Sequence, residues 1–315
     1  LGEVLVQVIL TGICGTDLHI HEGDFYAEFP LVPGHEVVGT VADLGEGVSQ
    51  FKLGDRVSVN PNISCGNCHA CRSARPLLCS ALKGIGVNWP GAFAEYLAVP
   101  AEYCFAVDEL ADDTAVFTEP AACAMHGVET LQVRPGSTAL VFGAGPTGLL
   151  LSQLLVNGGA AKVTVAAPSA FKLDRAKQLG IDDTYLMDRS DLDRSERDLL
   201  ARSGGYDIVV DATGSAAVSE RTVGLTRSGG TVLFYGVTAP EDRVSLSPYD
   251  IFRREITIKG SFAEISSFPA TIEALRSGRV RTDGLITHRF DLEEYADALD
   301  ALRTDRTVHK IVIAP

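Results

Sequence analysis

The stretch TALVFGAGPTGLLLSQLL, from Thr138 to Leu155, decides the fold. It opens as a buried strand, TALVF, and closes as a helix running on from Thr147. Between them Gly143, Gly145 and Gly148 stand at G-x-G-x-x-G. That spacing alone is a weak signal. With a strand before it, a helix after it and strand–helix alternation downstream, it becomes a strong one for dinucleotide binding. The tight turn lets backbone N–H groups and the helix N-terminus face a pyrophosphate. Gly143, Gly145, Pro146, Thr147 and Gly148 are therefore the expected cofactor loop.

Working outward, KVTVAA is a strand and SAFKLDRAKQLG an amphipathic helix. YDIVVDAT and GTVLFYGV are further strands. This alternation predicts an α/β class with a parallel, doubly wound sheet. The first third reads differently. VLVQVIL, VVGTVADLG, DRVSVNP and FAEYLAVP are short β-rich runs divided by Gly, Pro and Asp, the texture of an irregular barrel-like domain. After ITIKGSF the chain predicts helices near 268–277 and 292–303 and a last strand, HKIVIAP, which return to the first domain. The expected division is 1–119 with 261–315 as one domain and 120–260 inserted as the other.

At 315 residues there is room for about two domains. A formal charge of −14 gives no footprint for nucleic acid or an anionic membrane. No apolar run approaches a membrane-spanning length, so a soluble, cytoplasmic protein is expected. LGEVLVQVIL has neither an initiator Met nor a basic leader and reads as a strand entered midway, with a short piece expected before Leu1.

Seven cysteines, four of them in one short segment, favour metal binding in a reducing compartment over a disulfide framework. In CGNCHACRSARPLLC, Cys65, Cys68, Cys71 and Cys79 stand at C-x2-C-x2-C-x7-C. Four thiolates on so tight a lobe suit one structural zinc with no open position. Bacterial iron–sulfur proteins share C-x2-C-x2-C, but their fourth cysteine follows three residues later and precedes Pro. Cys104 and Cys123 read as buried core cysteines.

Cys14 lies in GICGTDLHI, His35 and Glu36 in PGHEVVGTVADLGEGV, and Glu119 in FTEPAACAMHG. Singly, each has a bland reading as a core cysteine, a loop histidine or a solvated acid. Together a thiolate, an imidazole and carboxylates are the ligand types of a catalytic zinc.

GHEVVGTVADLGEGV, together with CGTD, the four-cysteine lobe and GAGPTG in that order, resembles the zinc-containing medium-chain dehydrogenase/reductase superfamily. The likeness spans essentially the whole chain. Glu119-Pro120 is similar to the polyol (sorbitol, xylitol, arabinitol) and threonine dehydrogenase branch. The resemblance implies a Rossmann domain inserted into a β-rich GroES-like catalytic domain. It further implies two Zn2+ per chain, with Cys14, His35, Glu36 and Glu119 as direct or water-mediated ligands of the catalytic ion. Thr16 would accept the alcohol proton and His19 pass it on. A homodimer or homotetramer is implied, with a small-molecule polyol or alcohol as substrate.

A dinucleotide domain usually carries an acid about 20 residues after the glycine loop, where it binds the adenosine ribose of NAD. Here that strand ends in Ala166, Ala167 and Pro168. Ala167 leaves neutral space, Ser169 a hydroxyl and Lys172 a cation, with Arg189 as a second cation candidate. Charge-assisted donors suit a 2′-phosphate, so NADP is expected, with relaxed use of NAD as the alternative. The leading function is oxidation of a secondary alcohol of a polyol. L-threonine and 2,3-butanediol are the alternative substrates, and a non-catalytic dinucleotide-binding protein is the reading from another class. Phe25, Tyr26, Phe93 and Phe262 are candidates either for a substrate pocket or for the core.

Overall fold

A computed structural model describes residues 2–23 and 26–315 of the chain. They form two compact units: Leu1–Cys123, Ala263–Gly278 and Thr282–Pro315 make the first, and Ala124–Phe262 with Arg279–Arg281 the second. The chain passes to the second unit at 123/124, inside the helix Thr118–Leu131, and back at 262/263, just beyond a strand end, and Arg279–Arg281 is a short second excursion.

In the first unit the strands before the crossing are β1 (Glu3–Ile13), β2 (Glu36–Leu44), β3 (Arg56–Val59), β4 (Asn62–Ile63), β5 (Lys83–Gly84), β6 (Tyr96–Pro100) and β7 (Cys104–Ala106). The second unit holds β8 (Thr138–Phe142), β9 (Lys162–Ala167), β10 (Asp183–Leu186), β11 (Tyr206–Asp211), β12 (Thr226–Phe234) and β13 (Thr257–Gly260). The chain then returns through β14 (Ile286–Asp291) and β15 (Lys310–Ala314).

The first unit's main sheet runs β14-β15-β1-β2-β3-β7, with β6 also paired to β1. β1 is its organiser. Period-two burial turns Val4, Val6 and Val8 inward, where they join Val37, Val41, Val57 and Val99 in one core. Antiparallel pairing brings Gly12 opposite Glu36, and β15 bonds to the same end of β1, pairing Thr11 with Ile313 and Ile13 with Ile311. Residues from the start and end of the sequence therefore meet around the β1–β2 end.

The second unit is a six-stranded sheet of order β10-β9-β8-β11-β12-β13, every pairing parallel. Counted within the unit this is 3-2-1-4-5-6, the order of a dinucleotide-binding sheet, which reverses direction next to its first strand. Its inner strands β8, β9 and β11 are buried on both faces, as in a parallel sheet covered on both sides. The doubly wound sheet and the β-rich first unit are both as the sequence predicts. The helix expected near 292–303 begins instead with a 3-10 turn, Leu292–Glu294, and continues as Tyr295–Thr304.

Candidate active site and metal centres

In the second unit the glycine loop leaves β8 at the reversal point. Gly143 has φ +109, and its N–H donates to the Ala166 carbonyl at 2.9 Å. Gly145 caps the helix Pro146–Asn157 with no side-chain cap, and Pro146 enters where its missing N–H costs nothing. The first amides of that helix are thus left for an anion. A Cβ at Gly148 would overlap the Gly143 carbonyl oxygen, so only glycine lets helix and loop approach this closely.

The adenosine-side candidates sit at the ends of β9 and β10. Ala167, buried, closes β9, and its carbonyl accepts the Met187 N–H at 2.9 Å. Ser169 caps the helix Ala170–Gln178, its oxygen accepting the Lys172 N–H at 3.4 Å. No acid stands at the strand end. Lys172 is half-buried, and burial followed by the nearby Arg189 charge lowers its pKa.

In the first unit Cys14 caps the helix Gly15–Glu22, His35 precedes β2, and Glu36 is its first residue. Their ligand atoms lie within 4.8 Å of one another. Gly12 makes the room, since a Cβ there would overlap the Glu36 carboxylate. A thiol, an imidazole and a carboxylate converging here, His35 and Glu36 buried and Cys14 half-buried, form a donor set suited to zinc.

Each member has a fixed partner, and two of these partners were not anticipated. Asp17, fully buried, accepts the Cys14 N–H at 2.8 Å. Its other oxygen faces His35 Nδ1 at 3.5 Å, a charge contact longer than a good hydrogen bond. Burial opposes a charged His35, but Asp17 outweighs it and raises the ring's pKa well above 6.5. With Nδ1 turned to a carboxylate, Nε2 is left to bind a metal, the usual way a ligand histidine is oriented. Lys310, also buried, places Nζ 2.7 Å from both Glu36 oxygens and 3.1 Å from the Ile13 carbonyl. Burial works against its charge, and the adjacent Glu36 more than reverses this, raising its pKa.

Glu119 stands outside the trio. It occupies the first turn of the helix Thr118–Leu131, and the Cys123 thiol, one turn on, donates to its Oε1 at 3.2 Å. Burial pushes its pKa up to about 7, opposed by the His35 charge and aided less by that of Glu36. Cys123 is therefore more than a core filler, while Cys104 is buried as expected.

Thr16 and His19 share a face of the helix Gly15–Glu22, one turn apart. The Thr16 hydroxyl is 3.7 Å from the Cys14 sulfur. Both residues are half-buried. Of the aromatic candidates, Phe93 is core, its ring 5.0 Å from that of Tyr295. Tyr26 and Phe262 are exposed in their own units, and Phe25 lies outside the described residues.

The cysteine lobe brings together all four of its sulfurs, again within 4.8 Å of one another. Cys68 Sγ is 3.5 Å from Cys71 Sγ and 3.8 Å from Cys79 Sγ. Four sulfurs bonded to one zinc lie about 3.8 Å apart given Zn–S bonds of about 2.3 Å, whereas a disulfide needs about 2.0 Å. The Cys65 and Ala81 N–H groups donate to the Cys79 sulfur at 3.4 and 3.3 Å. Backbone amides of Cys71 and Ser80 draw the Cys68 thiol down to about 5, whereas loss of solvent and the neighbouring Cys68 push Cys71 up to about 11. Four sulfurs so arranged are a donor set that one cation would satisfy.

Comparison with known proteins places these sites in context. Residues 1–109 match the alcohol dehydrogenase GroES-like domain and residues 146–277 the zinc-binding dehydrogenase domain. The chain is 44% identical over 315 residues to D-arabinitol dehydrogenase 1 of Uromyces fabae, covering 99% of this chain and 90% of that protein. Among solved structures, a zinc-binding dehydrogenase of Sinorhizobium meliloti 1021 bound to NADP is 32% identical, with a TM-score of 0.93 over 100% of this chain and 92% of that one. A short chain alcohol dehydrogenase of Escherichia coli CFT073 complexed with NADH is also 32% identical, with a TM-score of 0.91 and the same coverage.

Proposed function

Because the chain belongs to the zinc-containing medium-chain dehydrogenase/reductase superfamily, in its polyol dehydrogenase-like branch, we propose that it oxidises a secondary alcohol of a polyol, with NADP as hydride acceptor. That it is an oxidoreductase acting on alcohols follows from its family. The finer reading rests above all on the convergence of Cys14, His35 and Glu36 in one cluster, in a chain whose other unit carries the glycine loop.

Cys14 and His35 would hold a zinc there, with Glu36 and Glu119 as further direct or water-mediated ligands, and the ion would supply a Lewis acid that lowers the pKa of a bound alcohol. The chain's own residues do the rest. Asp17 would orient His35 by its charge, with Nδ1 turned to the carboxylate. Lys310 holds both Glu36 oxygens, so Glu36 reaches the metal only by leaving a buried ammonium. The Cys123 thiol occupies one Glu119 oxygen and leaves the other free. Thr16 would take the alcohol proton and His19 would pass it outward, and the nicotinamide would supply the hydride acceptor. Carboxylates near the metal make it harder and favour oxygen-rich substrates such as vicinal diols. The 44% likeness to a D-arabinitol dehydrogenase supports a pentitol. A second zinc in the Cys65, Cys68, Cys71 and Cys79 lobe is structural, and assembly as a homodimer or homotetramer belongs to the same reading.

Steady-state rates on pentitols, hexitols, L-threonine and 2,3-butanediol, each with NADP and NAD, test this. A pentitol with NADP is expected to give the highest kcat/KM, and Ala167→Asp to weaken NADP. A higher kcat/KM with NAD overturns the cofactor assignment. Threonine or butanediol as best substrate overturns the polyol assignment, and full activity after removal of all metal overturns the zinc mechanism.

A further inference from the structure

Both candidate metal centres lie in the first unit, and a turn that supplies neither with a ligand runs from one to the other. The chain leaves the cysteine lobe at Cys79 and enters β5 four residues later. There Gly84 pairs with Asn62 and Lys83 with Ile63 of β4, the strand that leads into the lobe at Cys65. Two pairs make a marginal sheet by themselves, so the lobe joining the strand ends bears on whether they stay together. Asn88 closes the turn beyond β5. Its Oδ1 accepts the Gly84 N–H at 2.7 Å, and its Nδ2 donates to the Leu82 carbonyl at 3.3 Å. Across the turn the Gly86 N–H donates to the Trp89 carbonyl at 2.7 Å, and Lys83 Nζ lies 3.8 Å from the centre of the Trp89 ring.

The far side of this turn rests on the peptide that carries His35. A Cβ at Gly86, where φ is +75, would overlap the Gly34 carbonyl, and one at Gly91 would fall 2.5 Å from the same oxygen. The strand-like strap that follows grips the same segment. The Gly91 and Ala92 N–H groups donate to the Val32 and Gly34 carbonyls at 2.7 and 2.9 Å, and the Ala92 carbonyl accepts the Thr11 hydroxyl at 2.9 Å. Gly34 immediately precedes His35, and Thr11 stands three residues before Cys14. The contact is backbone on backbone. No side chain lies between to absorb a shift, so a displacement of the turn is passed to His35.

We propose that this junction couples the two centres: metal in the cysteine lobe raises the affinity of the Cys14, His35 and Glu36 site for its own metal, with Gly86 and Asn88 as positioning residues. The element with two arrangements is the lobe together with β4 and β5. Gathered on a cation, it holds the turn against Gly34. Released, it leaves two strand pairs and the Asn88 bonds to do so. Coupling of this kind is reciprocal, so metal at the trio tightens the lobe in turn. The proposal rests on the metal reading above and adds a dependence between the two ions.

The test is zinc affinity of the full-length protein, prepared metal-free and titrated in competition with a chromophoric chelator. Cobalt(II) assigns each binding step, since four thiolates give a stronger sulfur-to-metal absorption than one. Cys68→Ser with Cys71→Ser empties the lobe from its short helix His69–Arg72, away from the turn. That pair should weaken the trio about ten- to hundredfold, the range of a typical coupling between sites. Gly86→Ala should weaken the trio about tenfold while the lobe is intact, because the held turn drives the new methyl into Gly34. In the lobe-emptied chain the turn can yield, and the same change should matter less than about twofold. Asn88→Ala should show the same dependence on the lobe, and it carries the comparison where Gly86→Ala does not fold. Asn88→Asp, which keeps the acceptor for Gly84, should recover most of the loss. A trio affinity within about twofold of wild type after the lobe is emptied overturns the coupling and leaves the metal reading standing. Equal losses from Gly86→Ala or Asn88→Ala in both backgrounds also overturn it, since they would mark a purely structural role. If wild type takes up no zinc at the trio, the metal reading and the coupling fall together.

Discussion

Lys310→Met isolates the least expected feature of the candidate active site. In the folded chain Lys310 Nζ makes two 2.7 Å bonds to Glu36 and one of 3.1 Å to the Ile13 carbonyl, with the two side chains 6% and 1% exposed. Methionine fills the space without the charge, so Glu36 is left ionised and unpaired in a dry site. Breaking a buried pair from one side costs about 3–5 kcal/mol, against a total stability on the order of 5–15 kcal/mol. With a urea slope of about 2 kcal/mol/M, the midpoint of the metal-free protein should fall by about 2 M. Glu36→Gln added to Lys310→Met should recover most of the loss, because removing both charges leaves nothing stranded. Zinc offers Glu36 another cation, so the zinc-loaded variant should lose less than the metal-free one. The sign with pH also follows. Lys310 has a raised pKa, so its contribution is complete at neutral pH and disappears only as pH climbs past the ordinary 10.5 through the folded-state value. A loss below about 1 kcal/mol in the metal-free single variant, or a double variant no better than the sum of the singles, refutes the coupling.

Three further outcomes are expected. Glu119 has a pKa near 7 against an ordinary 4.5, so the metal-free fold holds its proton more tightly than the unfolded chain does. Stability should therefore decline by on the order of 3 kcal/mol as pH rises across that window, and Glu119→Gln should flatten the decline in pH-dependent urea melts. Gly148→Ala drives a methyl into the Gly143 carbonyl and should cost about 1–3 kcal/mol of stability together with dinucleotide affinity, read by thermal melting and cofactor titration. Cys79→Ser removes the one buried sulfur of the lobe, and metal analysis should then find one zinc per chain in place of two.

What the sequence revealed and what it hid divide along sequence distance. The glycine loop and the cysteine lobe are local: turn, helix start and ligand spacing lie within a few residues of one another, so composition and spacing suffice. Cys14, His35 and Glu36 were legible as candidates because each sits in a short glycine-flanked turn. Lys310 was hidden, because 274 residues separate it from Glu36 and only the β15–β1–β2 pairing joins them. In HKIVIAP it is one lysine at the start of an apolar strand, the place of an ordinary solvated terminus. Asp17 did leave a signal. An acid three residues after a helix-capping residue is half of a capping box, and that reading would have fixed Asp17 beside Cys14, though not beside His35. Cys123 read as filler because a thiol one helical turn from Glu119 gains meaning only once Glu119 is known to be buried in a helix.

The partners around the trio would let the proposed site both hold a metal and exchange its ligands. His35 Nδ1 faces Asp17, which has no competing cation among its described contacts, so the carboxylate favours one orientation of the ring. Glu36 and Glu119 are different: each already has a donor, Lys310 or the Cys123 thiol, to fall back on. A carboxylate with a donor waiting leaves a metal at little cost, because neither bound nor released does it become a buried, unsatisfied anion. Lys310 is the stronger restraint, a full charge with two short bonds, and the thiol the weaker, a neutral donor to a group whose pKa is already near 7. Glu119 should accordingly move onto and off the metal more readily than Glu36. Zinc K-edge spectra of Glu119→Gln and Glu36→Gln would separate the two. If Glu36→Gln alters the ligand set of the resting enzyme and Glu119→Gln does not, the order of restraint argued from these bonds is wrong.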